Sequence, residues 1–320
     1  MVKYGLLVGI NYTGTADQLN GCINDVNNMK NFLQSQLGYT NFVMLTDNTP
    51  VKPTKANILK EIDTLVRSLK SDDEAWFHYS GHGLLMRDVN KDEESGQDSC
   101  LAPLDYKKRG FISDDVIRSN LVQRVPKGAK MYVVLDACHS GTGCDLRYKY
   151  DDKSFQTNPN VKPLTYVPSE WSLRQTSYEF KRYNRIAGEV YCITGCQDHE
   201  ESADVFIKSD QMYGGVLTST MLSLLKSNDL KTYKWKHLLK DVCCSEKVNG
   251  YAQKTALTSG NPLNMENTVF TFPVMAVPIF SFWGVNKKYR RNYRMMNSMN
   301  ETNQTNPHKN KNIMKKMLFV

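Results

Sequence analysis

Short runs of apolar and β-branched residues alternate along this chain with longer segments in which apolar side chains return every three or four positions. Such alternation predicts a mostly parallel sheet with helices packed on both faces. Six strands are predicted, at Tyr4–Ile10, Phe42–Leu45, Ala75–Tyr79, Met131–Leu135, Val190–Thr194 and Val269–Phe272. Between the first two, Val26, Met29, Leu33 and Leu37 line one face of a helix over Asn24–Leu37, and Gly38 is its stop. Thr54 is placed to cap a second helix carrying Ile58, Ile62, Leu65 and Leu69. Further helices are predicted from Ser113, near Gly215–Leu225 and near Tyr233–Val248. The expected fold class is α/β, a three-layer α/β/α sandwich around a mostly parallel six-stranded sheet.

Residues 146–188 break this rhythm. Pro159, Pro163 and Pro168 stand among scattered aromatics without a sustained period, which predicts a long surface loop or linker. The expected organisation is one α/β domain over residues 1–285 and a tail over 286–320. That tail holds eight Asn and nine Lys or Arg against one acid, Glu301, a composition unable to build a packed core.

Composition narrows the function classes. A chain of 320 residues, 40% hydrophobic and 23% charged, is globular and excludes collagenous and disulfide-scaffold proteins. The net charge of +8 points to nucleic acid or membrane until its position is read. Residues 1–285 hold 32 bases and 32 acids, so the surplus belongs to the tail, and no specific nucleic-acid partner is expected. The eight Cys fit no zinc pattern of paired CxxC motifs. Met1-Val2-Lys3 leads directly into a strand without the apolar region of a signal peptide, so a reducing cytoplasm is expected. The late apolar stretch Val274–Trp283 contains Pro278 and is too short to span a membrane.

In open α/β sheets, ligands bind beyond the carboxyl ends of the strands. The third strand runs out through Tyr79-Ser80-Gly81-His82-Gly83, and the fourth through Asp136-Ala137-Cys138-His139-Ser140-Gly141. If these strands are parallel neighbours, His82 and Cys138 meet at one end of the sheet. Cys is a weak nucleophile until a base favours its thiolate, and His is the usual partner. Gly83 and Gly141 leave room for backbone N–H groups beside a developing oxyanion. Side chains repeat every two positions in a strand, which puts Asp136 on the side of Cys138 and Ser80 on the side of His82. A carboxylate there suits a cationic substrate side chain and rejects an acidic one. Asp136 is alternatively placed to orient His82, and Asp25 to sit at a helix start favoured by the macrodipole.

These segments, with Gly21-Cys22-Ile23-Asn24-Asp25-Val26, Asp98-Ser99-Cys100-Leu101-Ala102-Pro103-Leu104-Asp105 and Ser113-Asp114-Asp115, resemble the metacaspases, caspase-like cysteine peptidases, in their type I form. The resemblance covers about Tyr4 to Phe272. It implies a caspase–hemoglobinase fold, His82 as general base and acid, Cys138 as nucleophile, and polypeptide cleavage after Arg or Lys. It further implies that Cys22, Asp25, Ser80 and Asp136 line the primary specificity pocket. Asp98, Asp114, Asp115 and Asp145 match positions that bind an activating Ca²⁺ in calcium-dependent relatives, and carboxylates from separate loops suit that ion. Read alone, they are solvated loop acids and a helix start. By the same resemblance the 146–188 loop is where self-processing after a basic residue occurs, and the enzyme is a monomer. The alternative is a catalytically silent scaffold of the same fold.

Overall fold

The structure is a computed structural model, and it describes residues 1–87, 97–138, 143–150, 186–195, 204–207, 212–249 and 255–272. These belong to a compact unit, Met1–Thr271, apart from Phe272 at its border. The tail 286–320, most of the predicted 146–188 loop, and the segment His139-Ser140-Gly141 lie outside the described residues.

The central sheet takes β1 (Lys3–Gly9), β2 (Asn41–Thr46), β3 (Glu74–Ser80), β7 (Lys130–Asp136), β8 (Tyr148–Tyr150), β9 (Glu189–Thr194) and β12 (Ala256–Ser259), in the order β2-β1-β3-β7-β9-β12-β8. From β2 to β9 every pairing is parallel, and β12 and β8 are added antiparallel. Among the described residues the expected six strands are therefore seven. The apolar residues Val269 and Phe270 do not form a strand: they are buried in irregular chain, with one isolated bridge at Thr268 to Lys234. The antiparallel edge is made instead by β12 and the three-residue β8.

Helices cover both faces. α1 (Cys22–Leu37) ends at Gly38, whose φ of +71° is the left-handed conformation that glycine adopts without a Cβ penalty. α2 (Lys55–Ser68) is capped by Thr54, which accepts from the Asn57 N–H at 3.3 Å. Ile58, Ile62 and Leu65 of α2 bury with Ile117 of α4 (Asp114–Asn120) against Phe77, Tyr79, Val133 and Leu135. On the opposite face Trp76 stacks on Tyr132, and Tyr132 on Trp235, at 5.4 and 6.2 Å between ring centroids. Trp235 opens α6 (Trp235–Val248), which packs on α5 (Val216–Ser227), and α5 in turn on α1. This is the three-layer arrangement that short apolar runs alternating with 3.6-period segments predict, the central strands being buried on both faces.

Smaller pieces crown the carboxyl end of the sheet. β4 (Gly83–Arg87), β5 (Gln97–Leu101) and β6 (Ile112–Ser113) form an antiparallel sheet that starts one residue after His82. The turn α3 (Tyr106–Arg109) follows β5. A hairpin of β10 (Asp204–Ile207) and β11 (Met212–Gly215) leads into α5.

Candidate active site

Parallel pairing of β3 with β7 sets Ser80 opposite Asp136, so both chains leave the sheet side by side. The Gly81 N–H donates to the Asp136 carbonyl at 3.3 Å. A Cβ at Gly83 would run into the carbonyl oxygen of Cys138. The strand ends carrying His82 and Cys138 are thus in backbone contact, and glycine at position 83 is what allows it. Cys138 is half-buried, whereas Cys22, Cys100, Cys144 and Cys192 are buried. It shares a narrow pocket with Ser99, Cys100, Leu101, Asp114, Ile117 and Gly143.

His82 is held on three sides. Its backbone N–H donates to Tyr12 Oη at 3.0 Å, its carbonyl accepts from Tyr79 Oη at 2.9 Å, and its ring lies 4.8 Å from the Tyr12 ring. Its Nε2 is 2.7 Å from the backbone carbonyl of Asp17. A carbonyl only accepts, so Nε2 carries the proton, and in the neutral ring Nδ1 holds the lone pair. The partner of this ring nitrogen is a main-chain oxygen rather than Asp136. Sequence reasoning missed Tyr12 and Asp17, which lie on an irregular loop; Tyr12 sits at a φ of +50°.

Asp25, Ser80 and Asp136 come together beneath the first turn of α5. Ser80 Oγ donates to Asp25 Oδ2 at 2.6 Å, and the Gly215 N–H reaches both oxygens of Asp25 at 3.0 Å. The Thr218 N–H donates to Asp136 Oδ2 at 2.8 Å. The α5 N-terminus turns its first N–H groups and its positive dipole end towards both carboxylates. A Cβ at Gly215 would overlap the Asp136 carboxylate, so only glycine fits there. Asp25 and Asp136 are 2% and 4% exposed, and Cys22 is buried at the start of α1. Asp25 stands in the first turn of α1, as the macrodipole reading has it, and its carboxylate also receives the Gly215 N–H at the start of α5. Gly215 and Thr218 were not predicted as site residues. Below them, His78 is fully buried, with Nε2 at 3.3 Å from Thr218 Oγ1, and burial lowers its pKa to about 3.

The second group of acids lies behind Cys138. Asp98, Asp114 and Asp145 are buried and Asp115 half-buried. Asp114 Oδ2 accepts the Ser99 N–H at 2.7 Å and Oδ1 the Asp115 N–H at 3.0 Å. Burial first, and then the charges of Asp98 and Asp115, raise the Asp114 carboxyl to about 7 against these hydrogen bonds. Asp145 sits at a φ of +45°, and its carbonyl accepts from Arg118. Among the described residues no three His, Cys, Asp or Glu converge on one metal position. The donor chemistry still suits a hard cation, because crowded buried carboxylates gain most from a nearby positive charge.

The domain family described as "Metacaspase, peptidase C14 domain" matches residues 3–147. The chain is 34% identical over 294 residues to Metacaspase-1 of Debaryomyces hansenii, covering 82% of this chain and 66% of that protein. It is 32% identical to Metacaspase-1 of Ajellomyces capsulatus, covering 82% of this chain and 81% of the relative. The chain belongs to the metacaspases, a family of cysteine-type endopeptidases. A crystal structure of a Geobacter sulfurreducens protein superposes with a TM-score of 0.57 over 85% of this chain, at 20% identity, and speaks to the fold alone. No described helix of this metacaspase is long and apolar enough to cross a membrane.

Proposed function

We propose that this metacaspase chain cleaves polypeptides after Arg or Lys, with Cys138 as nucleophile and His82 as general base and then acid. The observation that carries the preference is the gathering of two buried carboxylates, Asp25 and Asp136, with Ser80 at the strand ends that bear His82 and Cys138. A guanidinium or ammonium entering there meets acceptor oxygens, whereas an acidic side chain would meet like charge in a poorly solvated place. The Cys138 thiol gives its proton to His82 and attacks the carbonyl carbon. The Gly83 N–H is the candidate donor to the resulting oxyanion. His82 returns the proton to the leaving amine, and water then hydrolyses the thioester.

Asp98, Asp114, Asp115 and Asp145 would hold Ca²⁺, which supplies positive charge to an acidic group sharing the Cys138 pocket. Self-processing would fall at a basic residue between positions 146 and 188. A monomer is supported by β8, which covers the edge that β12 would otherwise expose. The setting proposed is a reducing one, where a thiolate nucleophile persists.

Fluorogenic peptides ending in Arg, Lys or Asp, incubated with wild type and Cys138→Ala with and without Ca²⁺, test this reading. Cleavage of the Arg and Lys peptides by wild type alone, faster with Ca²⁺, is expected. Cleavage surviving in Cys138→Ala overturns the nucleophile, and preference for Asp overturns the pocket. Equal rates in chelator overturn the calcium role. Binding without cleavage of any peptide would favour a silent scaffold.

A further inference from the structure

The loop between β1 and α1 is tied down at its base and at one point near its tip. At the base the Asp47 carboxylate accepts the backbone N–H groups of Asn11 at 2.7 Å and Thr13 at 2.9 Å, and the Leu19 N–H closes onto the Asn11 carbonyl at 2.8 Å. From Thr13 to Gln18 every residue is exposed except Asp17, which is half-buried. The Asp17 carboxylate crosses to α3, where Tyr106 Oη donates to Oδ2 at 2.7 Å and Lys107 Nζ approaches the same oxygen at 2.5 Å. The Tyr106 ring packs edge-on against Tyr12, the residue that holds the His82 backbone. Through its main chain, Asp17 places a carbonyl 2.7 Å from His82 Nε2. One residue thus joins α3 by its side chain and His82 by its backbone.

We propose that Asp17 is a positioning residue for His82, its carboxylate pinned by Tyr106 and Lys107 so that its own carbonyl holds the imidazole in one tautomer and one orientation. The physical need is specific. An exposed loop carbonyl samples many directions unless something beyond its neighbours fixes it, and a base must be held within a fraction of an ångström to be efficient. The Lys107 pair is solvent-exposed and weak by itself, and the Tyr106 hydrogen bond reinforces it on the same oxygen. Consistent with two donors on one carboxylate, Lys107 first and Tyr106 second hold the Asp17 carboxyl below its usual range. The Tyr106 hydroxyl acts on His82 through Asp17, whereas its ring also packs on Tyr12, a contact that Tyr106→Phe keeps.

The inference rests on His82 acting as the base and acid of peptide cleavage, and the test separates the two. Steady-state cleavage of an Arg-ending fluorogenic peptide is measured for the full chain as wild type, His82→Ala, Asp17→Ala, Asp17→Asn, Tyr106→Phe and the double variant Asp17→Ala/Tyr106→Phe. Asp17→Ala is expected to lower kcat about tenfold with KM unchanged and an unchanged melting temperature. Asp17→Asn keeps an oxygen for Tyr106 and recovers most of kcat, and the double variant is no slower than Asp17→Ala because both act through one tether. Wild-type kcat in Asp17→Ala overturns the proposal, as does a loss of melting temperature that tracks the loss of rate without rescue by Asn. Full activity in His82→Ala overturns instead the reading of His82 on which the proposal stands.

Discussion

His78 is a buried imidazole held neutral by its surroundings, with its pKa lowered to about 3 by burial. In the unfolded chain the same residue takes a proton near pH 6.5. Between these values the unfolded state binds more protons than the native one, so stability rises with pH across this window and is lost as pH falls from 6.5 towards 3. At pH 5 the cost is up to about 2 kcal/mol. Chemical denaturation of wild type and His78→Gln at pH 7 and pH 5 should therefore show a smaller acid loss in the variant; equal losses would mean that burial does not hold this ring neutral. His78 and Tyr12 show what sequence alone leaves unread at this scale. His82 and Cys138 are legible because each stands at a glycine-flanked strand end. His78 lies mid-strand, where nothing distinguishes a histidine buried beneath α5 from an ordinary strand residue. Asp17 acts through its backbone carbonyl, which every residue type possesses.

The first turn of α5 shows how an element, rather than a residue, holds a pair of buried carboxylates. Gly215 and Thr218 donate their N–H groups to Asp25 and Asp136, and Gly215 lies against the Asp136 carboxylate. Gly215→Ala should push α5 and Asp136 apart, with a stability loss of about 1–3 kcal/mol and a raised KM for Arg peptides. Unchanged KM with full stability would show that Asp136 is not constrained by α5. The helices of this chain were readable because their apolar stripes are long. The sheet edge was not. Val269 and Phe270 look like a strand, yet they serve as a plug, Phe270 lying 5.6 Å from Tyr132 by ring centroids. β8 has three residues in a stretch without period, and its role rests on Tyr150, which is buried and accepts the Leu263 N–H at 2.9 Å. Tyr150→Ala should destabilise by about 3–5 kcal/mol, as for other buried aromatics, and free the β12 edge. Thermal unfolding and sedimentation velocity would register a lower melting temperature and self-association; a stable monomer would contradict the assigned role of β8.

At the scale of the whole molecule, the overall charge of +8 misleads, because residues 1–285 carry equal numbers of acids and bases. What matters is that buried acids collect in two places at the carboxyl end of the sheet, one under α5 and one behind Cys138. Topology creates this: β3 and β7 are adjacent and parallel, so motifs far apart in sequence leave the sheet together. The alternation of patterns was enough to read that arrangement, whereas the number of strands depended on short antiparallel additions.

The central claim is that Cys138, activated by His82, is the nucleophile for substrates with a basic side chain. Mass spectrometry after reaction with a peptidyl-arginine chloromethyl ketone tests it most directly, since the reagent alkylates a cysteine only where a bound arginine presents the carbon to a thiolate. The account predicts one adduct, on Cys138 among the eight cysteines, abolished in His82→Ala and blocked by excess Arg-ending peptide. An adduct on another cysteine, or labelling of Cys138 that is indifferent to His82 and to the peptide, would contradict it.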